Sequence, residues 1–314
     1  MALDERQTSK DTILEMNAEE ADIKGNMVEP IVDQKGEHRE EIVHTTRFGV
    51  LTRLRRRYRE ELAEFMGTFI MIVFGVGVVA QVVTHPGGSK GENLSINLSW
   101  GLGVLFGVYA AGGISGAHLN PAVTLGVAAH CGFAWKKVPG FIIAQMLGAF
   151  CAAAVVYLNY RDAISAFDGG VRTITGDTST AGIFATYPQP YLSTGGAFFS
   201  EFFGTAILAI GLRSIGEAKS ADAPKGHSPI AVALLVMGIG MSLGSETGYA
   251  INPARDFGPR LFTSIAGWGG DVYTAANNYA WIPIVGPVLG AQAGHLIYGF
   301  FAEYKSVDSK AVTV

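Results

Sequence analysis

The sequence predicts an all-α membrane protein of six transmembrane helices and two re-entrant half-helices, arranged as an inverted three-plus-three repeat. Three observations carry that prediction. The 314 residues are 49% hydrophobic and 16% charged and include 41 glycines, a balance too apolar and too glycine-rich for an ordinary water-soluble chain. The triplet Asn120-Pro121-Ala122 recurs as Asn252-Pro253-Ala254, and each copy opens an apolar run, Val123 to Ala129 and Phe257 to Phe262, too short to cross a bilayer. The surroundings recur as well: Ala63-Glu64-Phe65-Met66-Gly67-Thr68 is echoed by Ser200-Glu201-Phe202-Phe203-Gly204-Thr205, and Leu147-Gly148-Ala149 by Leu289-Gly290-Ala291.

Taken in order, residues 1 to 60 are polar and poor in aromatics, and are expected to be a mostly disordered cytoplasmic tail. There is no apolar core near Met1 of the kind a cleavable signal peptide needs. The tail ends in Arg53, Arg55, Arg56, Arg57 and Arg59, which hold it inside by the positive-inside rule, with attraction to anionic lipid as a second reading. A first span from about Leu62 to Val83 is broken by His85-Pro86-Gly87-Gly88, and a second covers about Ile96 to Gly113. The third, about Val138 to Tyr157, follows Lys136 and Lys137, and a long Gly-, Thr- and Pro-rich loop from about Arg161 to Gly195 then faces outside. The fourth span, about Ala197 to Leu212, leads to an inner loop with Arg213, Lys219 and Lys225. The fifth runs from about Ile230 to Leu243, and the sixth from about Ile282 to Phe301, near Lys305. The domain plan is a tail (1–60), a channel-like body (61–303, with repeats at about 61–160 and 196–303) and a second tail (304–314), both termini cytoplasmic. With no targeting signal, the plasma membrane is the default location.

Three spans per half is an odd number, so the second half enters the membrane from the opposite side and the two half-helix starts meet near the midplane. Asn is a good N-cap and Pro is tolerated at the first helical position, which makes each triplet a helix start. Two helix N-termini project positive potential into one narrow passage and repel cations and protons, while Asn120 and Asn252 can donate to a passing neutral oxygen. Glu64 and Glu201 occupy equivalent places, where a carboxylate in a span is costly. They read as acceptors for loop N–H groups or as proton-relay groups, and Glu64 also as an interfacial side chain reaching water. His118 reads as a structural hydrogen-bonding residue at the inner mouth or as a gate. Glu246 receives no role. Gly101-Leu102-Gly103 with Gly107 reads as close helix packing and not as a nucleotide fingerprint, because no strand precedes it. Asn93-Leu94-Ser95 fits a glycosylation acceptor. Cys131 and Cys151 read as buried thiols; no metal-ligand spacing or catalytic triad is present, and the charge pattern argues against nucleic acid. A proton-coupled carrier would share the inverted repeat, and an adhesion or scaffold protein would leave the paired Asn unexplained.

The runs Ser115-Gly116-Ala117-His118-Leu119-Asn120-Pro121-Ala122-Val123-Thr124 and Gly248-Tyr249-Ala250-Ile251-Asn252-Pro253-Ala254-Arg255-Asp256 resemble the major intrinsic protein family, the aquaporins and glycerol facilitators. The resemblance covers about residues 60 to 303. It implies an aquaporin-like bundle with one pore per subunit in a homotetramer, no enzymatic step and no cofactor. It further implies an outer selectivity filter of Trp100, Gly240, Tyr249 and Arg255. Strict water channels carry Phe and His at the first two positions, so Trp100 and Gly240 look like the glycerol branch. Asp256, Arg260 and Pro283-Ile284 are further markers of that branch, although the family usually has Phe where Tyr249 stands. The expected function is a passive channel for glycerol and similar uncharged polyols that conducts water and excludes protons and ions. A water-selective channel is the alternative, against which Gly240 and Asp256 argue. In the expected geometry Trp100 and Tyr249 form an apolar corner and Arg255 donates from the opposite edge.

Overall fold

The computed structural model describes residues 27–32, 38–43, 49–217 and 226–302. They fall into two units, Met1–Arg59 and Glu60–Val314. In the first, strand β1 (Met27–Val32) pairs antiparallel with β2 (His38–Val43), Met27 opposite Val43 and Val32 opposite His38. A short helix, α1 (Gly49–Arg57), follows and ends in Arg55, Arg56 and Arg57, cations suited to a helix C-terminus. Most of the expected tail, residues 1–26, 33–37 and 44–48, lies outside the described residues. The expected tail 304–314 and the loop lysines Lys219 and Lys225 lie outside the described residues.

Among its described residues the second unit is all-α. Its helices are α2 (Arg59–Val83), α3 (Asn93–Ser115), α4 (Pro121–His130), α5 (Val138–Asp168), α6 (Thr194–Gly216), α7 (Ser228–Leu243), α8 (Pro253–Ile265) and α9 (Ile282–Phe301). Among the described residues five helices are long and apolar enough to cross a membrane: α2, α3, α5, α6 and α9, the last with the turns before it. The fifth predicted span, α7, is apolar but has 16 residues, a reach of about 24 Å at 1.5 Å per residue, against roughly 30 Å of hydrocarbon. The half-helices α4 and α8 have 10 and 13 residues.

Helix packing follows the repeat. A Cβ on Gly148 of α5 would stand 2.5 Å from the carbonyl oxygen of Phe65 on α2, and the corresponding Gly290 of α9 meets the backbone of Phe202 on α6 in the same way. Only glycine lets those helix pairs touch backbone to backbone. On α3, Gly103 and Gly107 lie against the backbone of Met71 and Gly67, so the glycine run of the second span is packing, as expected. Large apolar side chains face outward around the bundle, among them Phe106, Ile143, Leu158, Leu234, Leu296 and Phe300, which suits a lipid surroundings and not water. Half-helix α4 packs on α9, and α8 packs on α5.

Candidate functional site

The site is built from the two loops that lead into α4 and α8. Their backbones match step for step: Gly116, Ala117 and Leu119 have φ of 88°, 52° and 52°, and Gly248, Tyr249 and Ile251 have φ of 84°, 38° and 42°. Left-handed conformations at four non-glycine residues are costly and persist only where the surroundings enforce them. Glu64 and Glu201 do the enforcing. Glu64 Oε1 accepts from His118 N at 2.9 Å and Ser115 Oγ at 2.6 Å, and Oε2 accepts from Leu119 N at 2.7 Å and Gln145 Nε2 at 2.8 Å. Glu201 Oε1 accepts from Ala250 N at 2.9 Å and Thr247 Oγ1 at 2.7 Å, and Oε2 accepts from Ile251 N at 2.7 Å. Both carboxylates are fully buried and lie off the cavity. In this geometry both carboxylates accept from the backbone N–H groups of the loops.

The loop tips meet. Asn120 Nδ2 donates to Ile251 O at 2.9 Å, and Asn252 Nδ2 donates to Leu119 O at 2.8 Å. Each Asn also caps its half-helix: Asn120 Oδ1 accepts from Ala122 N, and Asn252 Oδ1 accepts from Ala254 N and Arg255 N. Each amide therefore spends one N–H on the opposite loop and keeps a second one. Pro121, Ala122, Pro253 and Ala254 are buried behind them. A cavity of about 510 Å³ passes the tips, and Asn120, Asn252, Trp100, Tyr249, Arg255 and His118 are among its walls.

At one end stand the predicted filter residues. The Trp100 ring rests where a Cβ on Gly75 would be. Gly240 does not line the cavity, because the Tyr249 ring occupies the space its missing side chain leaves, with Cζ 2.5 Å from where a Cβ would stand. Gly240 thus admits Tyr249 and does not itself widen the opening. Arg255 departs from expectation too: its Cζ lies 4.5 Å from the Trp100 ring centroid, so it stacks on Trp100 instead of facing it across the opening. Its Nη1 donates to Phe184 O at 3.3 Å.

Asp256 is fully buried behind the filter. It accepts from Arg260 Nε at 2.8 Å, Thr186 N at 2.7 Å and Thr186 Oγ1 at 2.6 Å. Arg260 in turn donates to Thr186 O and Val272 O and lies 4.7 Å from the centroid of the Tyr187 ring. Burial pushes the Tyr187 hydroxyl up to about 12, against the pull of the Arg260 charge. This ion pair ties the long loop between α5 and α6 to half-helix α8.

At the other end, His118 Nδ1 lies 3.2 Å from Thr124 Oγ1, and the ring packs on Phe133 and Phe141. His130 stacks on His295 with centroids 5.4 Å apart, next to the Arg213–Glu217 pair. Cys131, read as buried, is exposed, because it caps α4 at the mouth; Cys151 is half-buried. Glu246, unassigned in the sequence, accepts from the Tyr191 hydroxyl at 3.2 Å. Sequence reasoning missed Ser115, Thr247, Gln145, Thr186 and Asn97. Ser115 and Thr247 had a signal: each is a hydroxyl residue directly before the glycine that begins a duplicated loop.

A family model described as Major intrinsic protein matches residues 52–298. The chain is 48% identical over 254 residues to Aquaporin-9 of Homo sapiens, covering 81% of this chain and 86% of that one. It is 48% identical over 242 residues to Aquaglyceroporin-2 of Rhizophagus irregularis, covering 77% and 76%. Among solved structures, the aquaglyceroporin from Plasmodium falciparum superposes with a TM-score of 0.69 at 34% identity, over 77% of this chain and 95% of that one.

Proposed function

The chain belongs to the major intrinsic protein family of passive membrane channels, and on that premise we propose that it conducts glycerol and similar small uncharged polyols together with water, while excluding protons and ions. The observation that carries the glycerol reading is the outer opening, where Trp100, Tyr249 and Arg255 form the wall and Gly240 makes room for the Tyr249 ring. A carbon backbone can pass along this partly aromatic wall while hydroxyl groups take hydrogen bonds from Arg255. The names of two relatives, both aquaglyceroporins, point the same way. Proton exclusion is supported by two helix N-termini aimed at one point and by Asn120 and Asn252 held as donors. Glu64 and Glu201, the carboxylates a proton-coupled carrier would need, are saturated with donors away from the path. We assign a homotetramer in the plasma membrane with both termini cytoplasmic, and a domain plan of tail (1–60), channel body (61–303) and tail (304–314), on the family and the arginine-rich approach to α2.

Stopped-flow light scattering of proteoliposomes under water and glycerol gradients tests this. The Gly240→His variant drives an imidazole into the Tyr249 ring and pushes it toward the passage, so glycerol flux falls to the level of empty liposomes while water flux persists. Water flux without glycerol flux in the unmodified protein makes it a water channel instead.

A further inference from the structure

Two buried polar atoms without a hydrogen-bond partner face one another beside the filter. Asn97, one turn before Trp100 on α3, is fully buried. Its Nδ2 donates to Asn93 O at 3.0 Å and to Asn93 Oδ1 at 2.8 Å, which uses both protons and leaves Oδ1 as an acceptor with no donor. The Tyr249 hydroxyl is also buried and also unpartnered. Both atoms converge on the notch that Gly240 leaves: a Cβ there would touch Asn97 Oδ1 and stand 2.7 Å from the Tyr249 oxygen. Each group is what the other lacks, and buried polar groups are nearly always paired.

We propose that Asn97 is the acceptor for the Tyr249 hydroxyl in the conducting channel, and that through this bond it positions the ring and sets the solute selectivity of the outer opening. The proposal rests on the filter reading given above. Committing the hydroxyl to Asn97 keeps it in the Gly240 notch and fixes the position in which the Tyr249 ring lines the cavity. A solute then meets the Arg255 donors beside an aromatic wall whose position the Asn97 bond holds. Gly240 is required at this place because any side chain would separate Asn97 from Tyr249. Asn97 touches no solute; it is a positioning residue.

A double-mutant cycle on the glycerol-to-water permeability ratio tests it, with Asn97→Leu, Tyr249→Phe and the double variant reconstituted beside the unmodified chain. Each single substitution lowers the ratio on the order of fivefold, the worth of one ordinary hydrogen bond. The double variant falls no further than either single, because both remove the same bond. Independent, multiplying effects overturn the proposal, as does a Tyr249→Phe variant that keeps the unmodified ratio. Where Asn97→Leu does not insert, Asn97→Ala removes the same oxygen without added bulk and is held to the same outcomes. Absence of glycerol flux in the unmodified protein refutes the glycerol reading, and the cycle is then read on water permeability alone, where lack of coupling overturns the proposal separately.

Discussion

Around Asn120 and around Asn252 the chain runs through the same left-handed loop, hangs it on a buried glutamate and caps a half-helix with the Asn side chain. Past the cap the two halves diverge. Where the first has Val123 and Thr124, the second has Arg255 and Asp256, and where the first has Ala128, the second has Arg260. Thr124 settles its buried hydroxyl with neutral groups, Asn120 O, His118 and Gln145. Asp256 sits in a network with two arginines, neither more than 9% exposed. The difference follows from what each half must hold. The second half, the outer one in the topology proposed above, keeps a cation, Arg255, at the wall of the passage, and it must fasten a long loop at Thr186 and Phe184. Buried charge is tolerated only when paired and hydrogen-bonded, so one functional arginine brings a structural ion pair with it.

The largest break in this comparison comes from Asp256→Asn. It leaves Arg260 charged, fully buried and without its counter-ion, a loss of about 3–5 kcal/mol. Little folded protein is expected on fluorescence-detected size exclusion. Pairing it with Arg260→Met removes the orphan charge and recovers folded material. An Asp256→Asn protein as stable as the parent contradicts the ionic account of the outer half.

Glu64→Gln and Glu201→Gln sharpen the shared part. Each turns an acceptor oxygen into a donor that faces a backbone N–H, removing charge-assisted hydrogen bonds worth about 1.5–3 kcal/mol. Because the two loops hang on their glutamates alike, the two losses of apparent thermal stability should match. Destabilisation by only one substitution means the loops are not held in the same way.

The shared plan was legible because duplication is written along the chain: paired triplets, paired Glu-Phe runs and paired Leu-Gly-Ala runs need no spatial knowledge to find. The divergence was legible only in part. Arg255 could be named from its position, but its stacking on Trp100 depends on how α3 and α8 approach one another, which no local pattern encodes. Gly240 was read as empty space because a sequence lists what a residue lacks and not what fills the gap, here the Tyr249 ring. The partners of Asp256 and Arg260 lie as far away as Thr186, in a loop whose Gly-, Thr- and Pro-rich composition signals only surface. The short α7 was visible in its length, yet its apolar composition made it look like any other span.

The smallest expected effect belongs to Thr124→Val, which removes a hydroxyl while keeping nearly the same shape. Three hydrogen bonds go with it. The groups left behind are not stranded alike: Asn120 O still accepts from the backbone N–H of residue 124 at 2.9 Å, and Gln145 Nε2 still reaches Glu64 at 2.8 Å. Only His118 Nδ1 loses its partner, and no charge is exposed to an apolar environment. A loss of about 1 kcal/mol is therefore expected, read as a drop of about 2–4 °C in apparent unfolding temperature. Val at this place also leaves the Asn120 cap and the contact between loop tips intact, so water permeability per channel should hold. A loss as large as that of Asp256→Asn would mean that the inner half depends on its polar network as strongly as the outer half does on its ion pair, and the contrast between a neutral and an ionic half would fail.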